Sequence, residues 1–132
     1  MSHEFAWDEL ALLWNGNNYG GVHDWLGERW NHLIQSRPDG HEDTDACFLQ
    51  GLAFAALAFH FSRNRNLEGA ALLADDALNV LPTFLPAYRG VQVEPVIDTL
   101  NALRPLLDGL APDAECPLPV DLFKKLSYQQ SA

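Results

Sequence analysis

ACFLQGLAFAALAFHFSR, residues 46–63, is the stretch whose reading decides the fold. Apart from Gln50 and His60 it is apolar on every side. A helix of that kind is either enclosed by protein or spans a bilayer. The uninterrupted run falls short of the roughly 20 apolar residues that a span needs, and a glutamine lies inside it. The reading is therefore a core helix over 45–63, capped by Thr44 or Asp45, with other helices around it. At about 100° per residue, Gln50, Ala53, Leu57 and His60 fall on one side, so its two polar groups face broadly the same neighbours.

Upstream of it lies a polar loop, SRPDGHEDTD, rich in turn signals. Before that comes WNGNNYGGVHDWLGERW, residues 14–30. Phe5, Ala6, Leu10, Leu13 and Trp14 have helical spacing, which predicts a first helix over 4–14 with Ser2 or His3 at its cap. NGNN ends that helix, since asparagine and glycine both tolerate the left-handed conformation. A second helix is predicted over 19–34, with Val22, Leu26, Trp30 and Leu33 on one face. His23 lies on the flank of that face, near Trp30 and Ile34, while Asp24 and Glu28 point another way.

Downstream, RNRN is a tight connection into LEGAALLADDALNVL, a fourth helix over 67–81 that ends at Pro82 and Pro86. A loop through RGVQ leads to a fifth over 93–108, with Gln92 a weak cap and Pro105 ending it early. No alternating strand pattern occurs. The class is all-α: about five helices around the central apolar one, forming a single domain over 1–108. Residues 109–132 read as an extended Pro-rich tail in which VDLFKKLSY, 120–128, forms at most a helical turn or two.

The 132 residues carry a formal net charge of -10 and only two lysines, Lys124 and Lys125. Such a surface repels phosphates and anionic lipid heads, so nucleic acid and membranes are not expected partners, and neutral or cationic ones are. Cys47 and Cys116 do not make a disulfide framework. No glycine-rich phosphate loop, GxSxG or Cys/His zinc spacing occurs, and no cofactor is expected. The opening residues show no secretion signal, which makes the cytoplasm the expected compartment.

The same residues carry a family resemblance. Trp14-Asn15, Tyr19, His23 and Trp30, then Phe48 to Leu52, His60, the N-x-x-G-A run Asn66 to Ala70, and Gly90, Val91 and Val93 stand in the order of a known pattern. The chain resembles the small helical proteins grouped as the domain-of-unknown-function family numbered 309. The likeness runs over about residues 5–103 and implies a helical bundle. Five positions depart from it: Asn17 stands for a glycine, Asp24 for a glutamate, Gln92 for an aspartate, and Gly21 and Gly27 for acids. A His-Glu pair one turn apart is therefore absent. Ala70, Ala74, Ala77, Leu78 and Pro82 also echo the second helix of a tetratricopeptide repeat, with no second copy visible.

His23 and His60 are the candidate catalytic residues, because imidazole is most easily tuned near neutral pH. A buried Gln50 must find partners, and a histidine from the next helix is a natural one. The expected site is a pocket shared by His23, Gln50 and His60 and walled by Tyr19 and Trp30. A metal there needs a third ligand, from Asp24 or Glu28. The expected function is a binding module for a small molecule or a protein. The alternatives are a hydrolase-like enzyme using His23 and His60, with or without a metal, and a tetratricopeptide-like interaction subunit able to pair as a homodimer.

Overall fold

The computed structural model describes residues 5–129. Five α-helices follow one another: α1 (Trp7–Asn15), α2 (Tyr19–Ser36), α3 (Thr44–Arg63), α4 (Leu67–Val80) and α5 (Glu94–Leu106). The helix α3 is the predicted centre. It packs chiefly on α2 and α4, and Ala46, Leu49, Leu52, Ala55, Ala56 and Ala58 along it are fully buried. Its small residues let neighbouring backbones come close. A Cβ on Gly51 would stand 2.9 Å from both Val80 Cγ1 and Leu81 Cδ2. By length and hydropathy alone α3 passes for a membrane span, but 56% of that window is buried inside the fold.

The caps refine the predicted boundaries. Asp43, not Thr44 or Asp45, caps α3, its Oδ2 accepting from the Ala46 N–H at 2.9 Å. Asn18 caps α2 through Gly21 N at 3.0 Å, and Asn66 caps α4 through Gly69 N at 3.0 Å. These bonds satisfy amides that a helix start leaves without partners. The first helix begins at Trp7, after Ala6 in a left-handed conformation (φ 41); the expected caps Ser2 and His3 lie outside the described residues. The helix α5 has Pro95 in its first turn and no side-chain cap, and it ends one residue past Pro105.

Two features read as loop have regular structure. Residues around RGVQ form an antiparallel hairpin of β1 (Ala87–Tyr88) and β2 (Val91–Gln92). The tail then lies beside β2: Tyr128 pairs with Val91, Gln92 N donates to Ser127 O at 2.9 Å, and Gln129 N donates to Gly90 O at 2.7 Å. Gly90 has φ 86, and a Cβ there would run into the Gln129 carbonyl, so glycine is required on both counts. Gln92 therefore serves as strand and not as a cap.

The tail belongs to the packed body. Leu118, Phe123 and Leu126 are buried in the same core as the helices. The short helix expected at 120–128 is a single 3₁₀ turn, Val120–Leu122. Asn15 clamps the tail by accepting from Leu126 N at 2.7 Å and donating to Leu126 O at 3.3 Å. Thr99 on α5 accepts from Lys124 N at 3.2 Å. Buried apolar side chains and satisfied backbone groups hold a segment whose prolines forbid a helix.

Candidate functional site

The α2 and α3 helices form an antiparallel hairpin, and His60 packs against Gly20: a Cβ there would stand 3.5 Å from the imidazole Cε1. His60 is thereby one turn from His23. Gln50 lies ten residues back along α3, about 15 Å at 1.5 Å rise per residue. Tyr19 and Trp30 are likewise eleven residues apart on α2, about 16 Å. Helix geometry thus distributes the five predicted residues over two ends of one interface, with Tyr19, His23 and His60 toward one end and Trp30 and Gln50 toward the other.

Their individual contacts point apart as well. The His23 side chain is 42% exposed, and its Nδ1 lies 3.5 Å from Asp24 Oδ1. His60 Nδ1 lies 3.4 Å from Asn64 Nδ2. Trp30 packs on the His41 ring, centroids 5.5 Å apart. Tyr19 is buried, and its hydroxyl donates to Asn17 Oδ1 at 3.1 Å. Among the described residues no three His, Cys, Asp or Glu side chains converge as metal ligands.

A cleft of about 360 Å³ opens beside this end of the molecule. Trp14, Asn15 and Asn17 line it from α1 and the α1–α2 turn, and Val120, Asp121, Phe123, Lys124 and Lys125 from the tail. Behind it stands an aromatic cluster. Trp14 and Tyr19 meet Phe59 edge-on at 6.0 and 5.3 Å, and Phe123 approaches Phe59 at 5.4 Å and Tyr19 at 6.1 Å. Burial there pushes the Tyr19 phenol up to about 12, against a smaller opposing effect of the Arg63 charge. The cleft exists because Asn15 ties the tail across the end of α1. None of its lining residues belongs to the predicted site of Tyr19, His23, Trp30, Gln50 and His60, and the tail's one signal in the sequence was the pairing of the chain's two lysines.

A second constellation escaped the sequence reading. Asp45, 4% exposed, accepts from Arg37 Nη1 at 2.9 Å, from Arg89 Nε and Nη2 at 2.6 and 2.9 Å, and from the Tyr88 hydroxyl. Burial alone would raise its carboxyl, but the hydrogen bonds from Arg89, Tyr88 and Arg37 outweigh it and hold the group below the ordinary carboxylate value. Burial and the Asp45 charge together push the Tyr88 phenol up to about 12. The arrangement fastens the hairpin turn to the start of α3. Trp7 adds to it by donating its indole N–H to Arg89 O at 3.0 Å. Arg37, Tyr88 and Arg89 each donate to the one buried carboxylate, so the cluster is a fastening more than a binding surface.

Gly21 and Gly27 differ in kind. At Gly21 a Cβ would meet the capping Asn18 side chain at 2.7 Å. Nothing lies within 4 Å of a Cβ at Gly27. Gly27→Ala is therefore expected to stabilise the fold by about 1 kcal/mol, the helix-propensity difference. Gly21→Ala, which disturbs the cap, is expected to bring no gain. Urea unfolding of both variants checks this, and a destabilised Gly27→Ala would contradict it.

Searches of family models, of curated proteins and of solved structures find no match to this chain.

Proposed function

We propose that the protein is a binding module that seats a small ligand in the cleft between the α1–α2 turn and the tail. The observation that carries this reading is the cleft itself, whose 360 Å³ fall in the range of small-molecule sites, about 300–1,000 Å³. Its walls come from segments more than a hundred residues apart in sequence, joined by the Asn15–Leu126 clamp. Such a seat is held by the core and not by a loop alone. Asn17 lines the cleft with φ 59, and its Oδ1 accepts from the Tyr19 hydroxyl, so its amide N–H₂ is the end of the side chain with donors to spare. The likeness to family 309 remains a proposal beside this one and rests on the blocks Phe48 to Leu52 and Asn66 to Ala70.

The test is a fragment titration of ¹⁵N-labelled protein. Amides of Asn17 and of Phe123 to Lys125, with the Trp14 indole, are expected to shift together and saturably. Shifts confined to His23 and His60 would favour the hydrolase-like site instead. No saturable shift at the cleft would refute the reading.

A further inference from the structure

The burial of α3 is one-sided. Phe48, Leu52, Ala55 and Phe59 are buried, whereas Gln50, Phe54, Leu57 and Phe61 are half-exposed. At about 100° per residue the second four share one face, the reverse of the face that carries Phe59. The helices α2 and α4 pack on the two sides of α3 and have no extended contact with each other. They leave a largely apolar strip of α3 open between them, about 16 Å long from Gln50 to Phe61.

Close approaches locate the edges of the strip. A Cβ on Gly20 of α2 would stand 3.5 Å from His60 Cε1, and one on Gly69 of α4 would stand 3.0 Å from Phe61 Cδ2. Val80 of α4 neighbours Gly51. Gly27 repeats the Gly20 position two turns on, and nothing lies within 4 Å of a Cβ there, so this edge is open. Among the described residues the Gln50 amide has no hydrogen-bond partner, so the floor offers one polar group. Exposed acids stand along both edges: Asp24 one turn from Gly20, Glu28 beside Gly27, and Asp76 one turn from Val80. The three helices hold two lysines or arginines, and both are directed elsewhere. Arg29 reaches Glu9 on α1, and Arg63 stands over the Phe123 ring.

We infer that this strip docks an amphipathic helix of a partner protein, apolar on the face laid against Phe54, Leu57 and Phe61 and basic on both flanks. Helices recognised in apolar grooves present anchors at that helical spacing. The charge of the edges selects the partner. A helix with lysines or arginines beside its apolar face meets opposite charge at Asp24 and Glu28 on one side and at Asp76 on the other. A second copy of this chain suits the strip poorly, because two copies of net charge -10 would bring acidic edges against acidic edges. The inference does not depend on the cleft, which lies in front of Phe59 on the other side of α3.

The experiment titrates the full chain with a synthetic leucine–lysine peptide of about 14 residues, long enough to span the strip at 1.5 Å per residue. Its leucines recur at helical spacing. The comparison peptides carry glutamate in place of lysine, or the same composition in scrambled order. Amide ¹⁵N shifts at Phe54, Leu57 and Phe61 locate binding, and fluorescence anisotropy of labelled peptide measures it. The lysine peptide is expected to bind about tenfold more tightly than either comparison. Leu57→Ser is expected to weaken it about tenfold, as for an interface anchor. Glu28→Gln and Asp76→Asn are each expected to weaken it roughly threefold, in keeping with solvent-exposed ion pairs. Glu28 and Asp76 are exposed and Leu57 half-exposed, so all three variants are expected to fold. Equal binding of the lysine and glutamate peptides overturns the basic partner, and equal binding of the scrambled peptide overturns the helix. Binding without shifts along α3, or no binding, overturns the surface itself. A free chain that sediments as a dimer and is made monomeric by Leu57→Arg gives the strip to a second copy and overturns the inference.

Discussion

Asp45→Ala is expected to lower stability by about 3 kcal/mol, because it removes the one acceptor shared by Arg37, Tyr88 and Arg89. Breaking a buried ion pair from one side costs about 3–5 kcal/mol where the remaining charge stays buried. Here the side chains of Arg37 and Arg89 are 28% and 46% exposed, so water reaches both and the lower end applies. In thermal unfolding this corresponds to a drop of roughly 10 °C. Asp43→Ala, which removes a cap, is expected to cost only about 1 kcal/mol. The pH dependence follows from the lowered carboxyl of Asp45. Its contribution is full above the ordinary value of 3.8 and is lost as pH falls toward the lower folded value. Asp45→Asn should therefore lessen the acid loss of stability. An Asp45→Ala protein within 1 kcal/mol of the parent, or an unchanged acid limb in Asp45→Asn, would refute this account.

Phe123→Ala is expected to cost about 3 kcal/mol, near the lower end for removing a buried phenylalanine. The ring is buried against Tyr19 and Phe59 and holds the tail to the body. Its loss should also admit water to Tyr19. In the intact protein burial holds that phenol near 12, so Tyr19 stabilises the fold fully below pH 10 and less as pH climbs from 10 toward 12. In Phe123→Ala the Tyr19 titration should move back toward 10.0. Alkaline absorbance titration, with Tyr19→Phe to separate it from Tyr88, measures the shift. Unchanged titration together with unchanged stability would mean that the tail is not part of the core.

The helices were legible because helical period is local. The apolar face of α2, the continuous run of α3 and the prolines closing α4 and α5 can each be read from a short window. The hairpin was not legible, because strands of two residues are too short to show alternation. The packing of the tail was not legible for a related reason. Leu118, Phe123 and Leu126 follow no single period, and the prolines around them speak only against helix.

The site depends on distances the sequence does not contain. Residue type alone singled out His23 and His60; helical rise already separates His60 from Gln50 on α3, and what folding added was the approach of His60 to Gly20 on α2. The cleft needs Asn15 beside Leu126, 111 positions away, and the fastening needs Arg89 beside Asp45, 44 positions away. Charge shows the same division. The sequence by itself determined an all-α bundle around residues 46–63 and a net charge of -10. Only the tertiary structure decided which cations are neutralised and that Arg63 stands over the Phe123 ring. Periodicity and total charge are properties of the chain, whereas pairing and screening depend on separations of a few ångströms that only folding sets.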